Sequence, residues 1–278
     1  MLTIHQMHGG PEKDVPWLLA QMRATVVRHN PDAEHRYWSD ADLRGLLADD
    51  YPALLPMFET ALLGVQRSDL ARLVVLHRFG GVYVDLDIEA LRPFASPLVG
   101  GTRAIVAPEP AEQVAALGYQ SGHEYLCNAF LYSPRDGEFV MRCLREAEAM
   151  WRARGRAMWG TFDVLGGHLL TRVAAGLPNR HHVLAVAPSR LVYPINDLKL
   201  KALPTHAADA AAVRDGFSVA RALTDVQAVH YWIHGDFEGR KALATNEGVG
   251  AIEEKKAHSK GQPCHALAWA LLSGLYGL

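Results

Sequence analysis

Apolar positions in the first third of the chain recur with two spacings. Three segments carry apolar residues every three to four positions, which is typical of helices: residues 16–29, 40–47 and 53–63. Two further short segments are strand candidates: residues 2–7 and 35–38. Strands and helices that alternate at this spacing predict an α/β fold with a mostly parallel sheet.

The second half of the chain is less regular, and no internal repeat is found there. Apolar runs predict further strands at residues 103–107, 126–132, 183–186, 191–193 and 226–232. Helical spacing predicts helices at residues 139–153 and 163–175. In an open α/β sheet the ligand binds outside the carboxyl ends of the strands, so candidate functional residues are sought there.

The densest pattern lies in residues 67–93, where a helical segment runs into a Gly-Gly pair, a short apolar strand and two aspartates. Gly80 or Gly81 is expected to end the helix with a left-handed cap. Side chains alternate across a strand. The expected faces are therefore Tyr83, Asp85 and Asp87 on one side, and Val82, Val84, Leu86 and Ile88 on the other. Two carboxylates at the end of a strand suit a hard divalent cation such as Mg²⁺ or Mn²⁺.

The helix before that strand carries a second polar pair. Asp69 and Arg72 are three residues apart and therefore share one helical face. The predicted buried stripe of this helix is Leu70, Leu73, Val74 and His77. The Asp69/Arg72 pair alone could be a surface ion pair, and Asp85 and Asp87 alone could be an unrelated Asp-x-Asp on an ordinary strand. The two pairs together, joined by the Gly-Gly turn, are a more specific signal of function than either pair.

This array resembles the DXD sugar-binding region of glycosyltransferase family 32 and its relatives, which include fungal mannosyltransferases, bacterial capsular-polysaccharide transferases and, more distantly, clostridial toxin glucosyltransferase domains. The residues that carry the resemblance are Asp69, Arg72, Gly80, Gly81, Tyr83, Asp85 and Asp87, over roughly a tenth of the chain. It implies a GT-A-type, Rossmann-like sheet flanked by helices, in a single domain over residues 1–243. It also implies retaining, metal-dependent hexosyl transfer from a nucleotide-sugar.

The resemblance assigns roles to further residues. The implied catalytic residues are Asp69, Arg72, Asp85, Asp87 and Asn128. The implied nucleotide-sugar contacts are His5, Gln6, Met7, Trp38, Ser39, Asp40, Asp69, Arg72, Tyr83, Asp85, Leu86 and Asn128. The implied ligands for Mn²⁺ or Mg²⁺ are Asp85, Asp87 and His230, with His234 as a second histidine.

Several of these assignments have a structural alternative. Met7 and His8 replace the tryptophan that usually follows the first strand in the family. Trp38 reads equally as a core residue, and Ser39 or Asp40 as a helix cap. Asn128 also fits an edge strand, and a lone histidine such as His230 is often simply packed. His168 replaces an expected proline in the Asp163 to His168 loop.

The donor and acceptor are less constrained than the reaction. UDP-glucose or UDP-galactose is favoured, with GDP-mannose as the alternative, and the acceptor is a glycan, a lipid-linked sugar or a protein. A carbohydrate-binding domain without catalysis is a competing interpretation. A metal-dependent phosphohydrolase is another, but it lacks a second carboxylate cluster for a two-metal site.

Composition limits the class of protein and the compartment in which it is expected. The chain has 278 residues, 49% hydrophobic and 21% charged, with a formal net charge of −2, which argues against nucleic-acid binding. Three cysteines and the absence of a signal-peptide or membrane-spanning pattern predict a cytoplasmic protein. Residues 244–263 read as a polar linker. Residues 264–278 read as an apolar helix that docks on the domain, binds a partner or touches a membrane peripherally.

Overall fold

A computed structural model describes residues 1–116, 119–120, 122–160, 164–194 and 225–232. Its strands are β1 (Thr3–Met7), β2 (Glu34–Trp38), β3 (Gly81–Val84), β4 (Ile88–Ala90), β5 (Ala104–Pro108), β6 (Leu126–Ser133), β7 (Leu184–Val186) and β8 (Ala228–His230). Its α-helices are α1 (Trp17–His29), α2 (Asp40–Asp50), α3 (Leu55–Glu59), α4 (Gly64–Phe79), α5 (Ala111–Ala116), α6 (Glu138–Arg154) and α7 (Gly166–Ala175).

Six strands form the main sheet in the order β2-β1-β3-β6-β5-β7. β1 is parallel to both β2 and β3, and β7 is parallel to β5, whereas β6 runs antiparallel to its two neighbours. The predicted α/β class with a mostly parallel sheet is therefore confirmed. Because β2, β1 and β3 run the same way, their carboxyl ends meet at one edge of the sheet.

The hydrophobic core lies on both faces of this sheet. On one face Tyr83 packs with residues of α2, α3, α4, α6 and α7. On the other, Val82 and Val84 pack with α1 and with the segments around residues 187–193 and 226–232. The alternation predicted for β3 is therefore observed within the strand.

Two glycines join α4 to β3. Gly80 ends α4 with a φ of 67°, as expected of a helix-terminating glycine, and Gly81 follows with a φ of 102°. A Cβ on Gly81 would collide with the carbonyl oxygen of Thr3 in β1. The predicted stripe of α4 is buried at Leu70, Leu73 and Val74, and His77 is half-buried.

Four elements differ from the sequence prediction. The helix predicted at 53–63 is only Leu55–Glu59. The strand predicted at 191–193 is wrong. The amides of Val192 and Tyr193 bond to the carbonyl of Ser189 in a tight turn, and the apolar run reflects burial in the core. Strand β4 and helix α5 were not predicted, being only three and six residues long.

The domain bounds predicted at 1–243 stay a prediction, because residues 195–224 and 233–243 lie outside the described part of the chain. Segments as distant as 3–7 and 226–232 contribute to one core cluster. The linker predicted at 244–263 and the helix predicted at 264–278 lie outside the described residues. No helix among the described residues is long and apolar enough to cross a membrane.

Candidate active site

The two aspartates of the DXD motif lie in the turn that follows β3. The strand ends at Val84, and the amide of Asp85 still bonds to the carbonyl of Ala129 in β6, at 2.8 Å. The amide of Ile88 then bonds back to the carbonyl of Asp85, which closes the turn and starts β4. Strand alternation therefore stops at Asp85. Asp85 and Asp87 converge because the chain turns.

A second, two-stranded sheet brings His230 to this turn. β4 pairs antiparallel with β8, with Ile88 opposite His230, and the amide of Tyr231 bonds to the carbonyl of Asp87 at 3.0 Å. His230 Nε2 lies 3.2 Å from Asp87 Oδ2. One potential ligand atom from each of Asp85, Asp87 and His230 lies within 4.8 Å of the others.

The electrostatics of this group suit a cation. Burial raises the pKa of Asp85, Arg72 opposes that rise, and the neighbouring Asp87 adds to it. Burial acts to lower the pKa of His230, but the carboxylates around it, Asp87 foremost and then Asp85, together outweigh burial and leave the pKa raised. Nδ1 of His230 is buried without a hydrogen-bond partner. Carboxylate oxygens and an imidazole nitrogen are acceptable ligands for Mn²⁺, and a divalent charge would relieve the repulsion between the carboxylates.

Arg72 organises the polar residues beside this group. Its guanidinium is 4% exposed and lies 3.1 Å from Asp69 Oδ1 through Nη2 and 3.1 Å from Asp85 Oδ1 through Nη1. Nη1 also donates to the carbonyl of Asn128 at 2.8 Å, and the guanidinium lies over the Tyr83 ring at 4.5 Å. The Tyr83 hydroxyl donates to Asp85 Oδ1 at 2.5 Å. One buried cation therefore serves two carboxylates that come from different elements.

Asn128 completes the network from β6. Its Nδ2 donates to Asp69 Oδ1 at 2.7 Å. Burial raises the pKa of Asp69 to about 6, although Arg72 and this hydrogen bond act to lower it. Four of the predicted catalytic residues are therefore linked by direct contacts: Asp69, Arg72, Asp85 and Asn128. Asp87 adjoins them through the metal-ligand group.

The first turn of α7 supplies a wall that sequence reasoning did not assign. Gly166 has a φ of 59°, and a Cβ there would lie 3.1 Å from Asp69 Oδ2 and 3.2 Å from Asn128 Nδ2. The Gly-Gly pair at the start of a predicted helix was the available signal. Backbone, without a side chain, therefore faces the Asp69–Asn128 pair at this point.

The β1 residues predicted to contact nucleotide are placed differently. His5 is buried. Its Nε2 lies 2.8 Å from the carbonyl of Gly80, its Nδ1 accepts from Trp38 Nε1 at 3.1 Å, and burial lowers its pKa to about 4. Gln6 is buried with Oε1 accepting from Arg23, and Met7 belongs to the core. The structure gives these side chains roles in packing, and their contact with a nucleotide stays a prediction.

The end of β2 lies at the same sheet edge. Trp38 is half-buried against Phe79, and Ser39 caps α2 in a reciprocal capping box with Asp42. Asp40 Oδ2 pairs with Arg67 of α4 at 2.9 Å. The alternatives of core residue and helix cap are thus observed, and neither conflicts with a ligand contact.

Leu86, which separates the two aspartates in the sequence, is buried. His234 and Asp163 lie outside the described residues.

Known proteins are similar in sequence to part of this chain. Residues 16–105 match the family described as "Glycosyltransferase sugar-binding region containing DXD motif". Inositol phosphoceramide mannosyltransferase 3 of Schizosaccharomyces pombe is 29% identical over 133 residues, which is 48% of this chain and 36% of that protein. Inositol phosphoceramide mannosyltransferase 2 of the same organism is 39% identical over 84 residues, 30% of this chain and 24% of that protein. These matches span about a third or less of the length of the relatives.

Two solved structures with a similar course of the chain are described as glycosyltransferases. The PaToxG glycosyltransferase is 14% identical, with a TM-score of 0.42 over 95% of this chain and 86% of that one. The galactosyltransferase LgtC is 16% identical, with a TM-score of 0.42 over 83% of this chain and 87% of that one.

The sheet and the polar network at its carboxyl edge place the DXD motif on an α/β fold. Within this chain, residues 16–105 are similar to glycosyltransferase sugar-binding regions that contain a DXD motif. This match confirms the resemblance drawn from residues 69–87, and the strand order confirms the predicted α/β sheet.

Proposed function

We propose that this chain transfers a hexose from a nucleotide-sugar to a hydroxylated acceptor, in a metal-dependent reaction that retains the anomeric configuration. The observation that carries the proposal is that the potential metal ligands and the Asp69–Asn128 network meet at one sheet edge. Asp85 belongs both to the potential metal ligands and, through Arg72, to the Asp69–Asn128 network. Such a site holds a diphosphate and a sugar side by side.

The residues on the sugar side have complementary chemistry. A carboxylate accepts from sugar hydroxyls, and the Asn128 amide both donates and accepts. Asp69 and Asn128 hold each other at 2.7 Å, so both are already oriented before a ligand arrives. Preorganised groups of this kind fix the position of the sugar C1 relative to an incoming hydroxyl.

The residues on the phosphate side are Asp85, Asp87 and His230, which would hold Mn²⁺ or Mg²⁺. When bound, the cation supplies positive charge that stabilises the departing nucleoside diphosphate without a proton. Asp85 Oδ1 accepts from both Arg72 and Tyr83, which fixes the carboxylate and makes Oδ2 the oxygen available to a ligand. Asp85 is therefore the residue between sugar and metal.

The relatives bear on the donor. Their names as mannosyltransferases support GDP-mannose, the alternative donor of the sequence analysis, ahead of UDP-glucose and UDP-galactose. The same names support an acceptor whose hydroxyls belong to a ring on a lipid. A carbohydrate-binding domain without catalysis is the competing function. It shares the binding residues and differs in lacking any turnover of donor.

A donor panel tests the proposal. The protein is mixed with Mn²⁺ and, in turn, GDP-mannose, UDP-glucose, UDP-galactose and UDP-N-acetylglucosamine, and both melting temperature and diphosphate release are measured. A ligand that binds only the folded state stabilises it, by about 2.7 kcal/mol at 100 times Kd. A metal-dependent stabilisation with slow hydrolysis of one donor supports the transferase. Stabilisation without hydrolysis indicates a binding domain, and no response to any donor contradicts the proposal.

A further inference from the structure

Four aromatic rings form a cluster next to the first turn of α7, and we call it the aromatic wall: Tyr119, His123, Tyr125 and His168. The rings of Tyr119 and His123 stack with centroids 4.7 Å apart and an angle of 5°. Tyr125 meets His168 edge-on at 4.9 Å, and the Tyr119 hydroxyl lies 3.3 Å from His168 Nδ1. The four rings thus make one continuous surface.

The aromatic wall adjoins the proposed sugar site through two consecutive glycines. Gly166 lies against Asp69 and Asn128, and a Cβ on Gly167 would come within 2.6 Å of the Tyr125 ring. One Cα–Cα step of about 3.8 Å therefore separates the residue at the sugar-binding pair from the residue at the wall. A side chain at either glycine would stand between them. Because both positions are glycines, neither places a side chain there.

Exposure along the wall follows a gradient. Tyr125 is buried, with 8% of its surface exposed, Tyr119 and His168 are half-buried, and His123 is exposed. The buried Tyr125 ring anchors the cluster, and the outer rings reach the solvent.

The chemistry of the wall suits a hydroxylated six-membered ring. One face of such a ring presents C–H groups that pack on an aromatic face, while its edge presents hydroxyls. Ligand sites combine apolar and aromatic walls with a few polar groups that fix orientation. The Tyr119 hydroxyl and the imidazole nitrogens of His123 and His168 supply such polar groups at the rim.

We propose that the aromatic wall binds the acceptor of the reaction, and that the acceptor group is a polyhydroxylated six-membered ring, either a sugar or a cyclitol. This inference rests on the proposed transferase function and adds the class of acceptor and the residues that hold it. The acceptor hydroxyl would then approach the donor sugar from the side of Gly166.

The test compares wall variants with a matched histidine control. Tyr119→Leu and His123→Ala remove rings from the wall, Tyr119→Phe keeps the ring and removes only the hydroxyl, and His182→Ala removes one ring of a histidine pair next to β7. The acceptors are methyl α-mannopyranoside and myo-inositol, each with the donor that the wild type turns over. KM is measured for acceptor and for donor.

We expect Tyr119→Leu and His123→Ala to raise the acceptor KM about tenfold, the loss expected when one ring face of apolar contact is removed. The donor KM should move much less. Tyr119→Phe should recover most of the acceptor affinity, and His182→Ala should match the wild type. The acceptor that shows this dependence identifies the ring as sugar or cyclitol. An unchanged acceptor KM in both ring-removing variants, or equal rises in the two KM values, overturns the proposal.

A binding measurement separates this inference from the proposed function. Saturation-transfer NMR with the same two compounds detects contact with aromatic side chains whether or not donor turns over. Suppose the wild type hydrolyses no donor but shows saturation transfer to one compound, and Tyr119→Leu loses that NMR signal. The ring-binding surface is then supported and the proposed transferase function is contradicted. No saturation transfer to either compound, in a protein that hydrolyses donor, overturns the wall as an acceptor site.

Discussion

Arg72 Nη1 lies 3.1 Å from Asp85 Oδ1, and this contact joins the helix before β3 to the turn after it. The same guanidinium holds Asp69 at 3.1 Å through Nη2. Two buried carboxylates therefore share one cation. The arrangement ties the geometry of the proposed sugar site to that of the proposed metal site.

Loss of the Arg72 guanidinium should destabilise the protein. Arg72→Met should lower the free energy of unfolding by about 3–5 kcal/mol, because it leaves Asp69 and Asp85 buried without compensation. Arg72→Lys keeps a charge but not the forked geometry, so we expect an intermediate loss. Urea unfolding measures both. Arg78→Met is the control, because Arg78 pairs with Asp50 at the surface at 2.7 Å and should contribute under about 1 kcal/mol. Equal losses in the buried and exposed variants would contradict the assigned role.

Asp87→Asn should separate binding of the cation from folding. The substitution keeps the size of the side chain and removes its charge beside His230, so stabilisation by Mn²⁺ and metal-dependent donor hydrolysis should be lost. We expect the rate to fall about 100-fold or more, as when a main electrostatic group is removed from an active site. Asp136→Asn, at an exposed turn, is the matched control and should behave like the wild type. Full metal-dependent activity in Asp87→Asn would eliminate the proposed role of the DXD motif.

Gly81 and Gly45 should respond to alanine in opposite directions. At Gly81 the φ of 102° is unfavourable for alanine and the new Cβ would meet the Thr3 carbonyl, so Gly81→Ala should destabilise strongly or fail to fold. Gly45 lies inside α2 with nothing within 4 Å of its Cβ position. Gly45→Ala should therefore stabilise by about 0.5–1 kcal/mol. Melting curves of the two variants check both signs.

Acid should destabilise the protein partly through His5. Burial lowers the pKa of His5 from 6.5 to about 4, so between these values the unfolded chain takes up a proton that the folded chain does not. The stabilisation is present above pH 6.5 and is lost as the pH falls from about 6.5 to about 4, to a limit of about 3 kcal/mol. Urea unfolding at several pH values measures it. His5→Gln should lower stability at neutral pH and flatten this part of the pH dependence, while His182→Gln should leave the wild-type slope. An unchanged slope in His5→Gln would refute the assignment.

Local pattern was enough to predict part of the site. The helical face of Asp69 and Arg72, the glycine that ends α4 and the strand before Asp85 each follow from residues close in sequence. The short β4 was not predicted, because a strand of three residues carries almost no periodic signal. β6 was predicted as a strand, but its antiparallel direction depends on its pairing with β3 and β5, which are distant in sequence. His230 was proposed as a ligand from resemblance. Its distance from Asp87 depends on the pairing of β4 with β8, which no local pattern encodes.

His5 of β1 shows where sequence could not predict the role of a side chain. His5 stands next to a strand end, where a ligand contact is a reasonable expectation, but its two ring nitrogens bond to Gly80 and Trp38. A polar residue in a short strand reads the same in sequence whether it binds a ligand or satisfies buried backbone. Only the partners of its side chain distinguish the two.

The pairing of β4 with β8 has a consequence for synthesis of the chain. Asp85 and Asp87 leave the ribosome early, but His230 follows more than 140 residues later, and the amide of Tyr231 must reach the carbonyl of Asp87 to hold it there. The three-ligand group therefore cannot exist while residues 228–231 are still inside the exit tunnel. A nascent chain already able to form its main sheet would still lack one residue of the proposed metal site. The proposed activity would then arise abruptly, after most of the fold is built.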